Sequence, residues 1–148
     1  MRIRIRRLHP HARLPEYQTA GAAAFDLAAA EDAVIAPAEV RLIGTGLVVE
    51  VPPGYFLAIV ARSSLPIKKQ LIVANGVGVV DSDYRGPADE VKVEVLNVSG
   101  APVTVARGER LAQGLILPTI RVEWEEASAS DAPSRGGFGA TRGYGSDA

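Results

Sequence analysis

Cysteine is absent from the chain. Disulfide bonds, catalysis by a thiolate and zinc sites built on cysteine are therefore excluded. A reducing compartment is compatible with this composition. Aromatic residues are scarce as well, at 5% of the chain, although 47% of all residues are hydrophobic. The core must therefore be built mainly from valine, isoleucine, leucine and alanine.

An excess of charge of one sign is also lacking. The 16 basic and 17 acidic side chains leave a formal net charge of -1. No overall field attracts nucleic acid, so no nucleic-acid partner is expected. A small polyanion could still bind through a few local arginines.

Long apolar runs are missing too. The basic N-terminal segment "MRIRIRRLHPHARLP" is not followed by the apolar region of a secretory signal. The alanine-rich segment "AGAAAFDLAAAEDAVIA" contains three acidic residues and is too short to cross a bilayer. We therefore expect a soluble, cytoplasmic protein with no membrane partner.

Short segments with the pattern of β-strands recur along the chain, whose length of 148 residues suits one domain. The N-terminal "RIRIR" alternates with the period of a half-buried strand. Glycine, proline and Asp or Asn separate the later segments, which are "RLIGTGLVVEV", "YFLAIVA", "LIVANGVGVV", "VKVEVLNV", "PVTVA" and "RLAQGLILPTIRVEW". This spacing predicts an all-β fold, a jelly-roll-like barrel or sandwich, with at most one short helix near "SLPIKKQ".

The composition changes after Trp124. The segment "EEASASDAPS" is small, polar and unpatterned, as in a flexible linker. The final "RGGFGATRGYG" contains too much glycine to pack a core. We therefore predict a β domain over residues 1–126 and a flexible C-terminal arm over residues 127–148. Trp124 itself is expected to pack on the β domain or on a neighbouring subunit.

The glycine-rich arm has the composition of a phosphate-binding segment. Successive glycines let backbone N–H groups converge on an anion, and Arg135 and Arg142 add charge that can fork onto phosphate oxygens. Phe138 has no core to join and could close over a flat ring. The alternative is a disordered tail of accidental composition.

The segment "ARSSLP" follows an apolar strand. Arg62, Ser63 and Ser64 place a guanidinium group and two hydroxyls at the strand end, with the exposed N–H groups of a helix start. This combination is typical of an anion site. The alternative is an ordinary helix cap beside a solvated arginine.

The segment "NGVGVVDSDYRG" ends an apolar strand with an acid. Asp81 follows a valine pair on a strand expected to be largely buried, where an unpartnered carboxylate is costly. It could polarise a water molecule or bind a metal. Tyr84 lies close to it if the chain turns as a hairpin, and its ring could pack on a sugar. The alternative is ordinary turn chemistry.

Two further polar residues stand on apolar segments. Asp26 in "AAFDLAA" could bind a metal directly or through water, or cap a backbone turn, and we favour a structural or outer-sphere role. Gln113 in "GERLAQG" is either a phosphate contact or an exposed edge residue.

The order of these segments resembles a known family. In sequence and spacing, "AGAAAFDLAA", "ARSSLP", "NGVGVVDSDYRG", "RGERLAQ" and "RGGFGAT" are similar to the five motifs of trimeric deoxyuridine triphosphate pyrophosphatases (dUTPases). The match runs from about Leu14 to Gly143. It implies a jelly-roll subunit, a homotrimer and three active sites shared between subunits, each closed by a C-terminal arm.

The resemblance also implies a reaction. dUTP and water would give dUMP and pyrophosphate with the help of Mg²⁺, which limits uracil incorporation into DNA and supplies dUMP for dTMP synthesis. Asp81 would orient and deprotonate the water that attacks the α-phosphorus. Tyr84 would pack on the deoxyribose and leave no room for a 2′-hydroxyl.

The remaining motif positions take substrate roles by the same resemblance. The uracil edge would be read by Asn75, by backbone groups of Gly78, Val79 and Val80, and near Lys92, in a hairpin tight enough to exclude the methyl group of thymine. Phosphate contacts would come from Arg62, Ser63, Ser64 and Gln113. In the arm, Phe138 would cover the uracil, and Gly139, Ala140 and Thr141 would contact the terminal phosphate. Asp26 would be linked to the metal indirectly, through water.

The chain departs from the family pattern in three places. Pro87-Ala88-Asp89 stands as an insertion after the glycine that follows Tyr84, and it lengthens the expected hairpin next to Lys92. Arg135 is directly adjacent to the glycine pair of the last motif, so Arg135 and Arg142 both remain candidates for the γ-phosphate. "AAAF" stands where glycine and serine are common, which affects packing.

Two other functions compete with dUTP hydrolysis. A dCTP deaminase of the same fold needs an acid or base at the cytosine amino group, and Glu94 is the candidate for it here. A catalytically silent nucleotide-binding homologue would lack the base or the arm, and both are present in this sequence.

Overall fold

The computed structural model describes residues 1–130 and 132–137. The residues predicted to act at the tip of the arm, Phe138, Gly139, Ala140, Thr141 and Arg142, lie outside the described residues. Within the described part, no helix has the length and apolar content needed to cross a membrane.

The described chain forms eleven strands and one short helix. The helix α1 spans Leu65–Lys69, as the sequence predicts. The strands are β1 (Arg4–Arg7), β2 (Phe25–Ala28), β3 (Ala33–Ile35), β4 (Val40–Gly44), β5 (Leu47–Glu50), β6 (Tyr55–Ala61), β7 (Leu71–Val73), β8 (Gly78–Val80), β9 (Lys92–Asn97), β10 (Val103–Val105) and β11 (Arg110–Pro118).

The strands form antiparallel sheets around one core. The largest sheet has the order β2-β11-β6-β8, and a three-stranded sheet has the order β4-β9-β7. Strand β1 pairs with β5, and β10 pairs with β3. The buried side chains are mainly Val, Ile, Leu and Ala, with Phe25 as the single aromatic residue among them. The predicted all-β, jelly-roll-like fold is confirmed.

Strand β1 shows how the alternating pattern leads to the fold. Ile3 and Ile5 pack against the core, while on the other face the Arg4 side chain is exposed and that of Arg6 is partly exposed. Because strand side chains alternate between faces, the Arg-Ile repeat fixes which face is buried.

Three predicted segments are longer than the strands that form. "RLIGTGLVVEV" divides into β4 and β5 because Gly46 has a φ of 68°, which turns the chain. "LIVANGVGVV" divides into β7 and β8 at Gly76, which has a φ of 73°. Strand β11 ends at Pro118. Trp124 does not pack on the β domain, because the residue is 93% exposed, and the other alternative, packing on a neighbouring subunit, stays a prediction.

The prediction of a hairpin around Asp81 is also wrong, because the strands before and after it, β8 and β9, do not pair with each other. Strand β8 pairs with β6 in one sheet, and β9 pairs with β4 and β7 in another. The segment between Asp81 and Val91 therefore connects two sheets. Because β8 is the edge strand of its sheet, Asp81 and Val79 are exposed, and the expected burial of Asp81 is not found.

Strand β11 lies between β2 and β6 and aligns several polar side chains. A side-chain carbon at Gly114 would lie within 3 Å of the Phe25 ring, so only glycine fits opposite this ring. One step along the strand, Gln113 stands between Asp26 on β2 and Val60 on β6. The packing of Gly114 thus brings Gln113 beside Asp26.

Candidate active site

A cleft of about 270 Å³ opens between the end of β8 and the start of β9. It contains five of the residues predicted to bind substrate or act in catalysis, which are Val79, Val80, Asp81, Tyr84 and Lys92. Leu42, Glu90 and Val91 complete its lining. The two sheets therefore contribute opposite walls of one cleft.

Asp81 lies where this cleft meets a larger one of about 720 Å³. The backbone N–H of Tyr84 donates a hydrogen bond to the Asp81 carbonyl at 3.2 Å, so the two residues belong to one turn. The Tyr84 hydroxyl donates to the Glu90 carbonyl at 3.2 Å. The ring is thus fixed across the loop that follows Asp81.

A second cluster surrounds Asp26, which is 5% exposed. Its Oδ1 accepts hydrogen bonds from Arg62 Nε at 3.1 Å and from Gln113 Nε2 at 3.4 Å. Its Oδ2 accepts from Arg110 Nη1 at 3.0 Å. Hydrogen bonds of this charge-assisted kind are roughly twice as strong as neutral ones. The carboxylate therefore holds two of the four predicted phosphate ligands, Arg62 and Gln113, in fixed positions.

The Asp26 cluster carries net positive charge toward solvent. Two guanidinium groups share one carboxylate, and both arginine side chains remain partly exposed. Arg62, Ser64 and Arg110 line a cleft of about 400 Å³ together with Lys68 and Lys69. Such a cleft can bind an anion through forked guanidinium contacts.

The serines of the "ARSSLP" segment differ in position. Ser64 is the N-cap residue of α1, yet its side chain makes no capping hydrogen bond. Its hydroxyl lines the basic cleft and is available to a ligand there. Ser63 is exposed.

Three other predicted residues, Asn75, Gly78 and Arg135, line none of the three clefts described above. Asn75 lies in the turn before β8, and Gly78 opens β8 opposite Ile59. Arg135 is exposed in the segment 132–137, in which no strand or helix is described.

The two clusters stand at opposite ends of β6. Val80 pairs with Leu57, so Asp81 lies next to Phe56 near the start of the strand, whereas Arg62 follows Ala61 at the other end. With a rise of about 3.3 Å per residue, Asp81 and Arg62 are roughly 20 Å apart along the strand. One chain therefore does not bring the predicted base and the predicted phosphate ligands together.

Known proteins resemble this chain over nearly all of its length. A family model described as dUTPase matches residues 10–142. The chain belongs to the dUTPase family. Its relatives include the deoxyuridine 5′-triphosphate nucleotidohydrolase of Helicobacter pylori strain J99, which is 42% identical over 143 residues, 95% of this chain and 97% of the relative.

Solved dUTPase structures share the fold. The crystal structure of dUTPase from Streptococcus mutans aligns with a TM-score of 0.75 and 31% identity, over 82% of this chain and 98% of that one. The Staphylococcus bacteriophage 80alpha dUTPase with dUPNHPP aligns with a TM-score of 0.84 and 23% identity, over 95% and 98% of the two chains. The family predicted from the five motifs is thereby confirmed.

Arg110 belongs to the Asp26 cluster but was not among the residues predicted from the sequence, although it stands inside the dUTPase motif "RGERLAQ". Arg110 and Gln113 are three residues apart, so a regular strand would place them on opposite faces. The register of β11 shifts between Arg110 and Ala112, as in a β-bulge. Because a bulge adds one residue to the strand, both side chains reach Asp26.

Proposed function

We propose that Asp81 is the general base with which this member of the dUTPase family hydrolyses dUTP to dUMP and pyrophosphate. The proposal depends above all on the position of Asp81, which shares a cleft with Tyr84 and with strand β8. The cleft combines a carboxylate for activating water, a ring for packing on a sugar, and strand-edge backbone groups for reading a base. Water activation, sugar packing and base recognition are thus each matched by a group in this cleft that can perform them.

In the proposed reaction, the Asp81 carboxylate takes a proton from water as the water oxygen bonds to the α-phosphorus. The bond from the α-phosphorus to the oxygen bridging the β-phosphorus breaks, and pyrophosphate leaves with that oxygen. dUMP keeps the oxygen that came from water. Phosphoryl substitution needs positioning and charge neutralisation more than covalent help, so one carboxylate is sufficient.

Uracil recognition is assigned to the edge of the four-stranded sheet. Strand β8 pairs with β6 on one side only, so the outward N–H and C=O groups of Gly78–Val80 are free of strand partners in the described chain. A uracil ring presents one N–H donor between two carbonyl acceptors, which suits such an edge. Asn75 and the backbone near Lys92 complete the proposed base site, and its narrowness would exclude the methyl group of thymine.

Triphosphate binding is assigned to Arg62, Ser63, Ser64 and Gln113, with Arg110 added from the structure. The support is the positive charge of the Asp26 cluster and its partial exposure. These residues lie roughly 20 Å from Asp81 in the same chain. The general base and the side chains that bind phosphate must nevertheless contact the same substrate molecule. A shared site, with Asp81 from one subunit and Arg62 from another, removes this conflict.

A homotrimer with three shared sites is therefore part of the proposal. The exposed segment after β11 supports it, because Ile120, Val122 and Trp124 alternate with polar residues as in a strand with one apolar face. Such a segment can pair with another subunit and cover this face. The Trp124 side chain, exposed in the single chain, would then pack on a neighbour.

The arm over residues 127–148 is proposed to close the site. Phe138 would cover the uracil, Gly139, Ala140 and Thr141 would contact the terminal phosphate, and Arg135 or Arg142 would reach the γ-phosphate. The support is the composition of the segment and its place after the last strand of the β domain. The cytoplasmic location expected from the sequence belongs to the same proposal.

Mg²⁺ fits best as an ion carried by the substrate. Both carboxylate oxygens of Asp26 accept hydrogen bonds from guanidinium groups, so direct ligation of a metal by Asp26 does not fit. Within residues 1–130 and 132–137, no group of three His, Cys, Asp or Glu residues has a metal-binding arrangement. Mg²⁺ usually keeps several waters and binds phosphate oxygens, and Asp26 would be linked to it only through water. When bound, the ion neutralises charge on the triphosphate.

Pyrophosphate release tests the function directly. We expect release from dUTP and much less from dTTP, dCTP or UTP, with a strong dependence on added Mg²⁺. Absence of release from dUTP would refute the proposal. Binding of dUTP without release would indicate a silent homologue, and ammonia from dCTP would indicate a deaminase.

Co-expression of two inactive variants tests the shared site. Asp81→Asn and Arg62→Ala chains should each be nearly inactive alone. When they assemble at random, about one quarter of the sites should combine an intact Asp81 with an intact Arg62 from different chains, and that fraction of activity should return. No recovery in mixed trimers would mean that each site is built within a single chain.

A further inference from the structure

The insertion Pro87-Ala88-Asp89 closes the loop after Tyr84 into a compact turn. Asp89 Oδ2 accepts a hydrogen bond from the backbone N–H of Gly86 at 2.5 Å. In return, the N–H of Asp89 donates to the Gly86 carbonyl at 3.3 Å. The insertion thus forms a ring of contacts around Gly86.

An arginine from the first strand reaches this turn from the other side. Arg6 Nη2 donates to the carbonyl of Arg85 at 3.1 Å and to the carbonyl of Gly86 at 2.7 Å. The peptide unit between Arg85 and Gly86 is therefore held at both ends. Its carbonyl oxygen is bound by Arg6, and its N–H is bound by Asp89.

Arg6 is itself held on a paired strand. Arg6 Nε lies 3.7 Å from Glu50 Oε1, and β1 pairs with β5 over the full length of both strands. The guanidinium group therefore extends from the sheet to the loop with limited freedom. Arg4, on the same face of β1, also pairs with Glu50 at 3.5 Å, and its side chain is 84% exposed.

We propose that Arg6 and Asp89 are positioning residues that hold Tyr84 in the orientation needed to recognise deoxyribose. The held peptide unit is one residue after Tyr84, and the Tyr84 hydroxyl is bound to the Glu90 carbonyl at the far end of the same loop. The loop is thus fixed on both sides of the ring. The inference rests on the proposed function, in which Tyr84 packs on the sugar.

A loosened loop should affect binding and sugar selection more than the chemical step. An immobilised ring excludes a 2′-hydroxyl because the ring cannot move aside. A mobile ring can move aside and admit the ribose of UTP. We therefore expect Arg6→Ala to raise KM for dUTP about fivefold to twentyfold and to lower the preference for dUTP over UTP by a similar factor. The kcat for dUTP should change by less than KM.

Arg4→Ala is the matched control. The substitution removes an arginine from the same strand face together with its contact to Glu50, and among the described residues Arg4 donates no hydrogen bond to the loop. Its KM and its selectivity should stay within about twofold of the unmodified chain. If Arg6→Ala behaves like Arg4→Ala, Arg6 has no positioning role.

A double-mutant cycle tests whether Arg6 and Asp89 act on the same peptide unit. Asp89→Ala should have the kinetic effect of Arg6→Ala, and the double variant should be little worse than either single variant. Independent effects that multiply would overturn the shared clamp. Thermal unfolding of the unmodified chain and of the four variants, Arg4→Ala included, completes the test. A selectivity loss that follows a fall in Tm across both Arg4→Ala and Arg6→Ala would also overturn the positioning role.

The same measurements distinguish failure of this inference from failure of the proposed function. If the unmodified chain releases no pyrophosphate from dUTP, the proposed function fails before any variant is compared. If it does release pyrophosphate and Arg6→Ala keeps full selectivity, only the positioning role is refuted.

Discussion

Asp26 Oδ1 lies 3.1 Å from Arg62 Nε, and the carboxylate is almost completely buried while the guanidinium group is partly exposed. The same carboxylate also accepts hydrogen bonds from Arg110 and Gln113. A buried acid with three donors is well satisfied and has a structural reason to be there. Asp26 is therefore the centre of the basic cluster, through which it orients the groups proposed to bind phosphate.

Substitution Asp26→Asn should weaken this cluster. One carboxylate oxygen becomes an N–H₂ donor facing a guanidinium donor, and the negative charge between Arg62 and Arg110 is lost. We expect KM for dUTP to rise at least tenfold. The free energy of unfolding should fall by about 1–3 kcal/mol, and the fall should not be larger because both arginines are partly solvated. Kinetics and thermal unfolding measure the two effects.

Asp32→Asn is the control for that substitution. Asp32 is an exposed acid that accepts a hydrogen bond from the backbone N–H of Arg107 at 2.7 Å. Its removal should leave KM for dUTP unchanged. An Asp26→Asn variant with the KM of the unmodified chain would contradict the orienting role.

Asp81→Asn should abolish the proposed proton transfer and leave the cleft intact. An amide of the same shape cannot accept the proton from water, and loss of a general base typically lowers kcat by about 10²–10⁴. Nucleotide affinity should stay near normal, as measured by calorimetry with a non-hydrolysable dUTP analogue. Asp83→Asn, two residues away and also exposed, should retain turnover. Near-normal kcat in Asp81→Asn would refute the assignment of the base.

Tyr84→Ala should lower discrimination against UTP. Without the ring, space opens for a 2′-hydroxyl, so kcat/KM for UTP should rise relative to dUTP. Tyr84→Phe keeps the ring and removes only the bond from the hydroxyl to the Glu90 carbonyl at 3.2 Å. Tyr84→Phe should therefore keep more of the selectivity than Tyr84→Ala but less than the unmodified chain, because the ring is no longer bound to the far end of the loop. Equal selectivity in Tyr84→Ala and the unmodified chain would remove the sugar-packing role.

The fold was predictable where local pattern and tertiary packing agree. The Arg-Ile alternation of β1, the breaks at Pro52-Pro53-Gly54 and the helix α1 follow from periodicity and turn chemistry that act over a few residues. Predictions failed where the exposure of a residue depends on which strands pair with its own strand. Asp81 follows apolar residues, yet β8 is an edge strand, and sequence pattern does not reveal which strand of a sheet lies at its edge.

The candidate site divides in the same way. The order of the motifs identifies the family and the types of residue at the site, because each motif is a short continuous segment of the sequence. The bond from Arg6 to Gly86 spans 80 positions, and the reach of Arg110 to Asp26 depends on a β-bulge. Such contacts are set by how distant strands meet. The pattern of any one segment does not contain them.

Gln70→Gly should stabilise the chain. Gln70 caps the C-terminus of α1 with a φ of 52°, a left-handed conformation that costs a side-chain-bearing residue about 1–2 kcal/mol. Glycine adopts it freely but loses more entropy on folding, so the net gain should be up to about 1 kcal/mol, or roughly 2–4 °C in Tm. Gln70→Ala keeps the strain and should show no gain. Equal Tm values for the glycine and alanine variants would contradict the argument.

Deleting the chain beyond Ser130 should separate folding from turnover. The last strand ends at Pro118, and of the deleted residues those that the structure describes, 132–137, are all exposed and belong to no strand or helix. Tm should therefore change by less than about 2 °C, and Ile120, Val122 and Trp124 remain available for assembly. Turnover of dUTP should fall at least tenfold, because the proposed cover over uracil and the terminal phosphate is gone. Full activity of a folded, truncated trimer would show that the arm does not close the site.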